Sequence, residues 1–200
     1  MKKSKKPAYH HGNLEQALID EALKLVEQDG EMAVSLRDLA QSLGVSRAAP
    51  YRHFASRDDL LAAVAARGFE DLVALYDTAL AGPGNAQERL SAASHAFFDF
   101  AMRRPGLYRL MFESDLLNRT PPAVMLPAAN ASYYQLLRAV ADANPQMSEA
   151  QAKVRTIIMM STGHGFLALD RAGRFKPFMY EPLSHEDMVE AVMRSLIGVD

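Results

Sequence analysis

The chain has 200 residues, a formal net charge of −2 and a hydrophobic fraction of 49%, values typical of a compact globular protein with one ordinary core or two small ones. The absence of cysteine excludes disulfides, thiolate catalysis and cysteine-ligated zinc, and it fits a reducing compartment. No stretch approaches the roughly 18 apolar residues of a spanning helix, and no apolar run follows the amino-terminal lysines. We therefore expect a cytoplasmic protein with no membrane partner.

The charge is distributed unevenly along the chain. The first 13 residues carry Lys2, Lys3, Lys5 and Lys6 and no acid, for a charge of +4, residues 35–57 carry +3, and the remainder carries −9. A basic region attached to an acidic body indicates one surface for a polyanion and a second surface for a different task. Residues 1–12 are interpreted as a flexible basic arm, which either contacts a DNA backbone or minor groove or only solubilises the terminus.

Apolar residues recur at helical spacing nearly throughout the chain, beginning with Leu14, Leu18, Ala22 and Leu25. Strand-like alternation of apolar and polar residues is absent, so the pattern predicts an all-α fold of about nine helices. A serine followed three positions later by an acid or amide is typical of a capped helix start. This pattern occurs at Ser35, Ser56, Ser148 and Ser184.

The sequence GVSRAAPYRHF, residues 44–54, follows a predicted second helix over residues 36–43. Gly44 suits a left-handed helix end, and Ser46 can cap a new helix after only three residues. Two helices joined by such a turn are typical of a helix-turn-helix, whose second helix enters a DNA major groove about 12 Å wide. The spacing therefore predicts a third, DNA-reading helix that starts at Ser46.

The small residues of this predicted helix fit a close approach to DNA. Ala48 and Ala49 keep the helix thin, and their methyl groups can contact thymine methyls. Pro50 lies in the first turn, where it disfavours a helical conformation at Ala49 and should distort the turn. The residues predicted to contact DNA through long donor side chains are Arg47, Tyr51, Arg52 and His53.

The alternative interpretation of residues 44–54 is a surface turn before a long helix. It is accepted for Phe54, which we expect to close a small three-helix core with Leu39 and Leu43. It does not account for several long donors on one thin helix beside a local positive charge.

Two stretches of the sequence resemble the DNA-binding domain of TetR-type (tetracycline-repressor-like) transcriptional regulators: SLRDLAQSLGVSRAAPYRHFASRDDLLAAV, and GNLEQALIDEALKLVEQDG before it. The resemblance covers residues 12–76 and includes, in order, Leu39-Ala40, Gly44-Val45-Ser46, Tyr51, His53-Phe54, Arg57 and Leu60. The sequences YHHGNL, PGLYRLMF and HGFLAL resemble the WHG-domain branch of that family, although Thr162-Gly163 replaces the tryptophan of its signature.

The resemblance implies a ligand-responsive repressor, a homodimer in which each subunit offers its third helix to one half of a palindromic operator on double-stranded DNA. It also implies roles for particular residues. Ser35, Tyr51, His53 and Arg57 would hold phosphates, Arg47 and Arg52 would reach base edges or the flanking backbone, and Arg37 would join them from the second helix. Arg57 stands where the family more often has lysine. Helix starts at Ser35, Ser46 and Ser56 would independently favour phosphate anions.

The predicted organisation has a helix-turn-helix DNA-binding domain over residues 13–57 and a larger helical ligand-binding and dimerisation domain over residues 58–200. A long helix from residue 58 to about residue 81 starts in the first domain and continues into the second. By the resemblance, a small molecule in the second domain would shift this helix and change the spacing of the two DNA-reading heads.

Bulky side chains with polar tips on the later helices are candidates for an effector pocket. They are His95, Phe98, Asp99, Met102, Tyr108, Met111, Phe112, Tyr133, Tyr134, Met159 and His164. Each could equally be an ordinary core residue, because helix interfaces need such side chains. Together, the methionines and aromatic residues favour an adaptable, largely apolar ligand site.

Ser91, His95 and Asp99 lie four residues apart and could imitate a hydrolytic nucleophile, base and orienting acid, which gives the alternative function of a helical hydrolase or small-molecule-binding protein. Neighbouring side chains on one helix rarely form such a triad, and no nucleophile elbow accompanies them, so we expect a protein that is not an enzyme. A His95–Asp99 pair is the preferred interpretation. The remaining histidines lack ligand spacing, and neither a metal nor a cofactor is expected.

The last two predicted helices, over residues 149–172 and 185–198, are candidates for a four-helix bundle between two subunits. Ser161, Gly165 and Ala168 would permit close approach there. The alternative is that both helices close the core of a single subunit. Dimerisation is favoured because one short reading helix binds DNA too weakly alone.

Overall fold

The computed structural model describes residues 14–116 and 123–197, and the predicted arm over residues 1–12 lies outside these ranges. Within them the chain is helical and has no strand, as the all-α prediction requires. Residues 14–116 and 123–197 contain eight α-helices, and about nine were predicted for the whole chain: α1 Leu14–Asp29, α2 Leu36–Ser42, α3 Arg57–Leu80, α4 Ala86–Arg103, α5 Pro105–Phe112, α6 Leu126–Ala143, α7 Glu149–Arg171 and α8 His185–Ile197. Three short 3-10 helices, Glu31–Ala33, Pro50–Arg52 and Pro177–Met179, lie between them.

All four predicted serine caps are confirmed. The hydroxyl oxygens of Ser35, Ser56 and Ser184 each accept a hydrogen bond from the amide three residues later, at 3.4, 3.1 and 3.0 Å. Ser148 and Gln151 form a reciprocal capping box at the start of α7. Each such cap typically stabilises a helix by about 1 kcal/mol, so the local sequence fixes where α2, α3, α7 and α8 begin.

The chain forms two compact units that each contain separate segments of sequence. The first consists of Met1–Phe69 and Arg104–Pro127, and the second of Glu70–Arg103 and Ala128–Asp200. The predicted division after residue 57 differs from this one because α5 packs on α1, and because Gly68 of α3 closely approaches Leu107 and Met111 of α5. The long helix α3 contributes residues to both units. A helix from residue 58 to about residue 81 that starts in one domain and continues into the next was predicted.

In the first unit, α5 begins directly against the backbone of α1. The Glu27 carboxylate accepts hydrogen bonds from the Gly106 amide and from Arg104 Nε, both at 3.1 Å. At Gly106 the helices approach so closely that a Cβ atom would lie 2.3 Å from the Val26 carbonyl oxygen. Glycine at this position is therefore a condition for the packing of α5 on α1.

The second unit is built from α4, α6, α7, α8 and the end of α3. Its core includes Leu90 of α4, Val140 of α6, Met159 of α7 and Ile197 of α8. The end of α8 is held from a second helix, because Arg155 Nη2 of α7 donates a hydrogen bond to the Leu196 carbonyl at 2.8 Å. In the described ranges no helix is long and apolar enough to cross a membrane.

Candidate nucleic-acid interface and effector residues

The turn between α2 and the predicted DNA-reading helix has the geometry that the sequence predicts. Gly44 has φ +70°, the left-handed conformation that L side chains rarely adopt. The Val45 amide donates to the Ala40 carbonyl at 2.9 Å and the Gly44 amide to the Gln41 carbonyl at 3.2 Å. This pair of bonds is a Schellman motif, which ends α2 and directs the chain into residues 46–53.

Residues 46–53, which we call the recognition segment, do not form the predicted α-helix. They form tight turns that include the 3-10 helix Pro50–Arg52. The predicted distortion at Pro50 is confirmed and larger than expected: proline has no amide to donate to the Ser46 carbonyl, which accepts instead from Ala49 at 2.9 Å. Ala49 has a right-handed helical conformation, although Pro50 was expected to disfavour it there.

The recognition segment presents one face to solvent and is fixed by the other. Pro50 is buried and Ala49 is half-buried, so these two residues attach the segment to its own unit. The predicted contact residues Ser46, Arg47, Ala48, Tyr51, Arg52 and His53 are exposed. Tyr51, with 56% of its surface exposed, is among the most exposed large apolar side chains of the described chain. The sequence does not predict an anchoring role for Pro50, because a proline in a first helical turn indicates only a break in the helix.

Three arginines give the exposed face its charge. Arg37 of α2 and Arg47 and Arg52 of the recognition segment are exposed, and none forms an ion pair with another residue in the described ranges. Their guanidinium groups are therefore available to phosphate or to guanine edges. Ser35 is half-buried and its oxygen caps α2, but its hydroxyl can still donate to an anion.

His53 has a neighbour that sequence reasoning missed. Its Nδ1 lies 3.5 Å from Glu15 Oε2 of α1. A carboxylate beside a histidine opposes the approach of a phosphate, so this contact reduces the positive potential at the end of the recognition segment. The phosphate contact expected for His53 stays a prediction.

Arg57 is engaged within its own unit. Its Nε donates to the Val34 carbonyl at 3.0 Å, its Nη2 donates to the Glu31 carbonyl, and its side chain is only 28% exposed. A phosphate contact from Arg57 would have to compete with these bonds. No local sequence pattern distinguishes such an internal bond from the phosphate contact implied by the family resemblance.

The predicted effector residues of the first unit lie on α5. Tyr108 and Met111 are buried, and Phe112 packs its ring 5.1 Å from the rings of both Phe69 and Tyr108. These contacts describe a closely packed interface between α3 and α5. This packing fits an ordinary core role for all three residues, and their part in an effector site stays a prediction.

The predicted effector residues of the second unit fall into two groups. Phe98 and Met159 are buried, Tyr133 is half-buried, and His164 packs 5.2 Å from the ring of Phe97. Asp99, Met102 and Tyr134 are exposed. Two surface pockets, of about 340 and 360 Å³, are lined by other residues, so the effector site stays a prediction.

The Ser91–His95–Asp99 stripe of α4 does not form the expected His95–Asp99 pair. His95 Nδ1 lies 2.8 Å from the Ser91 carbonyl, and Nε2 lies 2.9 Å from Glu190 of α8. Asp99 is 71% exposed and pairs with Arg103 instead. Because a carbonyl only accepts hydrogen bonds, Nδ1 must carry the proton and cannot take one from Ser91, so this geometry does not support a triad.

The His95–Glu190 pair joins α4 to α8. Partial burial lowers the pKa of His95, but hydrogen bonds to the Ser91 carbonyl and the Glu190 carboxylate outweigh it and raise the pKa above the ordinary value. The same pairing lowers the pKa of Glu190. No group of three potential metal ligands occurs in residues 14–116 and 123–197.

His164 should make the stability of the fold depend on pH. Burial lowers its pKa from 6.5 to about 4, and the nearby Arg171 guanidinium adds to the shift. The unfolded chain then takes up a proton between these values while the folded chain does not, so stability falls as pH is lowered from 6.5 to about 4. The difference between the two pKa values corresponds to a loss of about 3 kcal/mol in the free energy of unfolding.

Urea unfolding at several pH values, with His164→Gln as the comparison, measures this effect. Between about pH 7 and about pH 4, we expect the free energy of unfolding to fall less with decreasing pH in the variant than in the native protein. Parallel profiles for the two proteins would show that folded His164 titrates like a histidine in solvent.

The outer face of α7 is apolar or small along its length. Val154, Ile157 and Ile158 are each at least half exposed, and Ser161, Gly165 and Ala168 are exposed further along the helix. A Cβ added at Gly165 would meet no atom within 4 Å. This face is therefore not used in packing within the described chain.

Comparisons with known proteins match both parts of the chain. Residues 18–64 match the family described as bacterial regulatory proteins of the tetR family, and residues 90–196 match the tetracyclin repressor-like C-terminal domain. The second match alone covers more than half of the chain. The WHG branch stays a prediction.

Curated relatives include the HTH-type transcriptional activator FasR of Mycolicibacterium smegmatis, 35% identical over 100 residues, which are 50% of this chain and 46% of FasR. The nucleoid occlusion factor SlmA of Salmonella dublin is 34% identical over 109 residues, 52% of this chain and 55% of SlmA. The chain thus spans about half the length of these relatives.

Solved structures resemble nearly the whole chain. A Rhodococcus sp. RHA1 protein of unknown function is 30% identical with a TM-score of 0.77, over 96% of this chain and 98% of its own. The TetR family regulator PfmR of Thermus thermophilus is 22% identical with a TM-score of 0.64, over 91% of this chain and 97% of its own. With family matches in both halves and this fold, the chain belongs to the tetR family of bacterial regulatory proteins.

Proposed function

We propose that this protein is a cytoplasmic transcriptional regulator that binds double-stranded DNA through its recognition segment. The observation that carries the proposal is the exposed face formed by Arg47, Tyr51 and Arg52, whose donors have no partner within the described residues of the fold. Arg37 adds a fourth exposed donor group from α2. In a cell, the abundant ligand that combines phosphate charge with base edges is nucleic acid.

The shape of the recognition segment supports insertion into a major groove. A groove about 12 Å wide is nearly filled by one α-helix with its side chains. A 3-10 turn with alanine at positions 48 and 49 is narrower, so its backbone can lie close to the base edges. Arg47 and Arg52 would then select bases, while Ser35, Tyr51 and His53 would hold phosphates.

A homodimer is part of the proposal. A single short segment contacts too few base pairs for specific binding, and two copies related by a two-fold axis double the contacts on a palindromic site. The unused face of α7, with Val154, Ile157 and Ile158 exposed, supports an interface with α7 and α8 of a second subunit. Gly165 and Ala168 leave room for the helices to approach closely.

Regulation by a small molecule and action as a repressor complete the proposal. The helix α3 has residues in both compact units, so a ligand in the second unit could act on the first through this helix. The aromatic residues around Phe98 and His164 support a largely apolar ligand. FasR is named an activator, so the sign of regulation needs a direct measurement in cells.

Selection of bound sequences from random or genomic DNA with purified protein tests the proposal, and repetition with candidate ligands tests regulation. We expect a palindrome whose half-site centres are about 10 base pairs apart, or a multiple of that distance. Enrichment of a single half-site would contradict the dimer. Recovery of no preferred sequence by folded protein would contradict sequence-specific regulation as a whole.

A further inference from the structure

Arg57 closes a loop that contains the complete DNA-reading part of the chain. Its guanidinium bonds to residues 31 and 34 before α2, and Arg57 itself begins α3. The 22 positions between Val34 and Arg57 comprise α2, the Schellman turn and the recognition segment. A single side chain therefore joins the two ends of the segment that is proposed to read DNA.

The bonds of Arg57 meet carbonyls that the local backbone leaves incompletely satisfied. The Glu31 carbonyl accepts one backbone hydrogen bond, from the Val34 amide at 3.2 Å. A carbonyl oxygen has a second lone pair, which the Arg57 guanidinium uses. Nη2 lies near Met32 Sδ and Nη1 near Asp58 Oδ1, so each guanidinium nitrogen has a neighbour inside the unit.

We propose that Arg57 is a positioning residue: it fixes the start of α2 to the start of α3, and so holds the recognition segment in register for DNA, without contacting DNA itself. The proposal rests on the proposed function for its effect on DNA. It differs from the role implied for Arg57 by the family resemblance, which is a phosphate contact that lysine could make equally well.

The two roles predict different results for two variants. Arg57→Lys keeps the positive charge but has no planar fork to reach two carbonyls, and Arg57→Gln loses the charge but can still donate one bond. A positioning residue affects the specific complex more than the non-specific one, because only base contacts need the register. A phosphate contact contributes to both complexes and to their salt dependence.

The experiment measures affinity for the selected operator and for random duplex over a range of salt concentrations. With both variants we expect the ratio of operator to random affinity to fall by about tenfold, with no change in the salt slope. Loss of about one unit of slope in Arg57→Gln, with both affinities restored in Arg57→Lys, would overturn the proposal in favour of a phosphate contact.

Amide hydrogen exchange gives a second readout that needs no DNA. In Arg57→Lys, amides of residues 31–56 should exchange about tenfold or more faster, while those of α7 should not change. Unchanged exchange throughout would also overturn the positioning role. If the native protein binds no DNA, the proposed function fails, and the exchange measurement still decides whether Arg57 holds this segment.

Discussion

Gly106→Ala is expected to lower the free energy of unfolding by about 2–4 kcal/mol. The added Cβ would lie 2.3 Å from the Val26 carbonyl oxygen and 2.7 Å from the Glu27 Cα. Both atoms belong to the backbone of α1 and cannot rotate away, so α5 must move as a whole. That movement would also weaken the bond between the Gly106 amide and the Glu27 carboxylate.

Alanine is a better helix former than glycine by about 1 kcal/mol, which would stabilise α5. The expected loss of unfolding free energy in Gly106→Ala is therefore the cost of the clash with α1 minus this gain. Gly163→Ala in α7 is the matched control, because there an added Cβ meets only the Phe97 and Phe98 rings at ordinary contact distances of 3.7–3.9 Å. Chemical denaturation should show Gly163→Ala unchanged or slightly stabilised. Equal stability of the two variants would contradict the close packing of α5 on α1.

Joint replacement of Arg47 and Arg52 with alanine is expected to have the largest effect on DNA. Each bidentate base contact discriminates against a wrong base by about 1–3 kcal/mol, so the double variant should lose about 2–6 kcal/mol of preference for the operator over random duplex. Both side chains are exposed, so the free energy of unfolding should change by less than about 1 kcal/mol.

Arg174→Ala is the control for this variant, because Arg174 is an exposed arginine that follows α7 in the second unit. Affinities for operator and random duplex, measured by fluorescence anisotropy, should be unchanged in Arg174→Ala. If the affinity of the double variant instead fell by the same factor for both duplexes, Arg47 and Arg52 would contact phosphates. Other residues would then have to read the bases.

Local patterns in the sequence predicted the elements of the fold well. Helical periodicity, four serine caps and the left-handed Gly44 depend on residues within a few positions of one another, so a single sequence contains the relevant information. The conformation of the recognition segment was harder to predict from the sequence. Pro50 removes one hydrogen bond from a segment so short that an α-helix needs every bond to form. The loss of that bond favours a 3-10 turn over an α-helix.

The partners of charged side chains could not be predicted, because they depend on long-range packing. Glu190 is 95 positions from His95, whereas the incorrectly predicted partner Asp99 is only four positions away. Arg57 likewise binds carbonyls 23 and 26 positions earlier in the chain. The tight contact at Gly106 depends on how α5 crosses α1, a geometry that no pattern within PGLYRLMF specifies.

The effector residues illustrate a further limit of composition. Methionine and aromatic side chains are common both in ligand pockets and in cores, and several predicted residues are simply buried, including Tyr108, Met111 and Phe98. The DNA-contact predictions have a firmer basis, since a buried core has no use for exposed, unpaired arginines.

Titration of the selected operator and of a scrambled duplex with the purified chain, at low and at physiological ionic strength, tests the role of the recognition segment most directly. We predict operator binding at least about a thousandfold tighter than scrambled binding at physiological salt, with both affinities falling steeply as salt rises. Failure of the folded, ligand-free protein to bind either duplex at low ionic strength would contradict a DNA-binding role for the recognition segment.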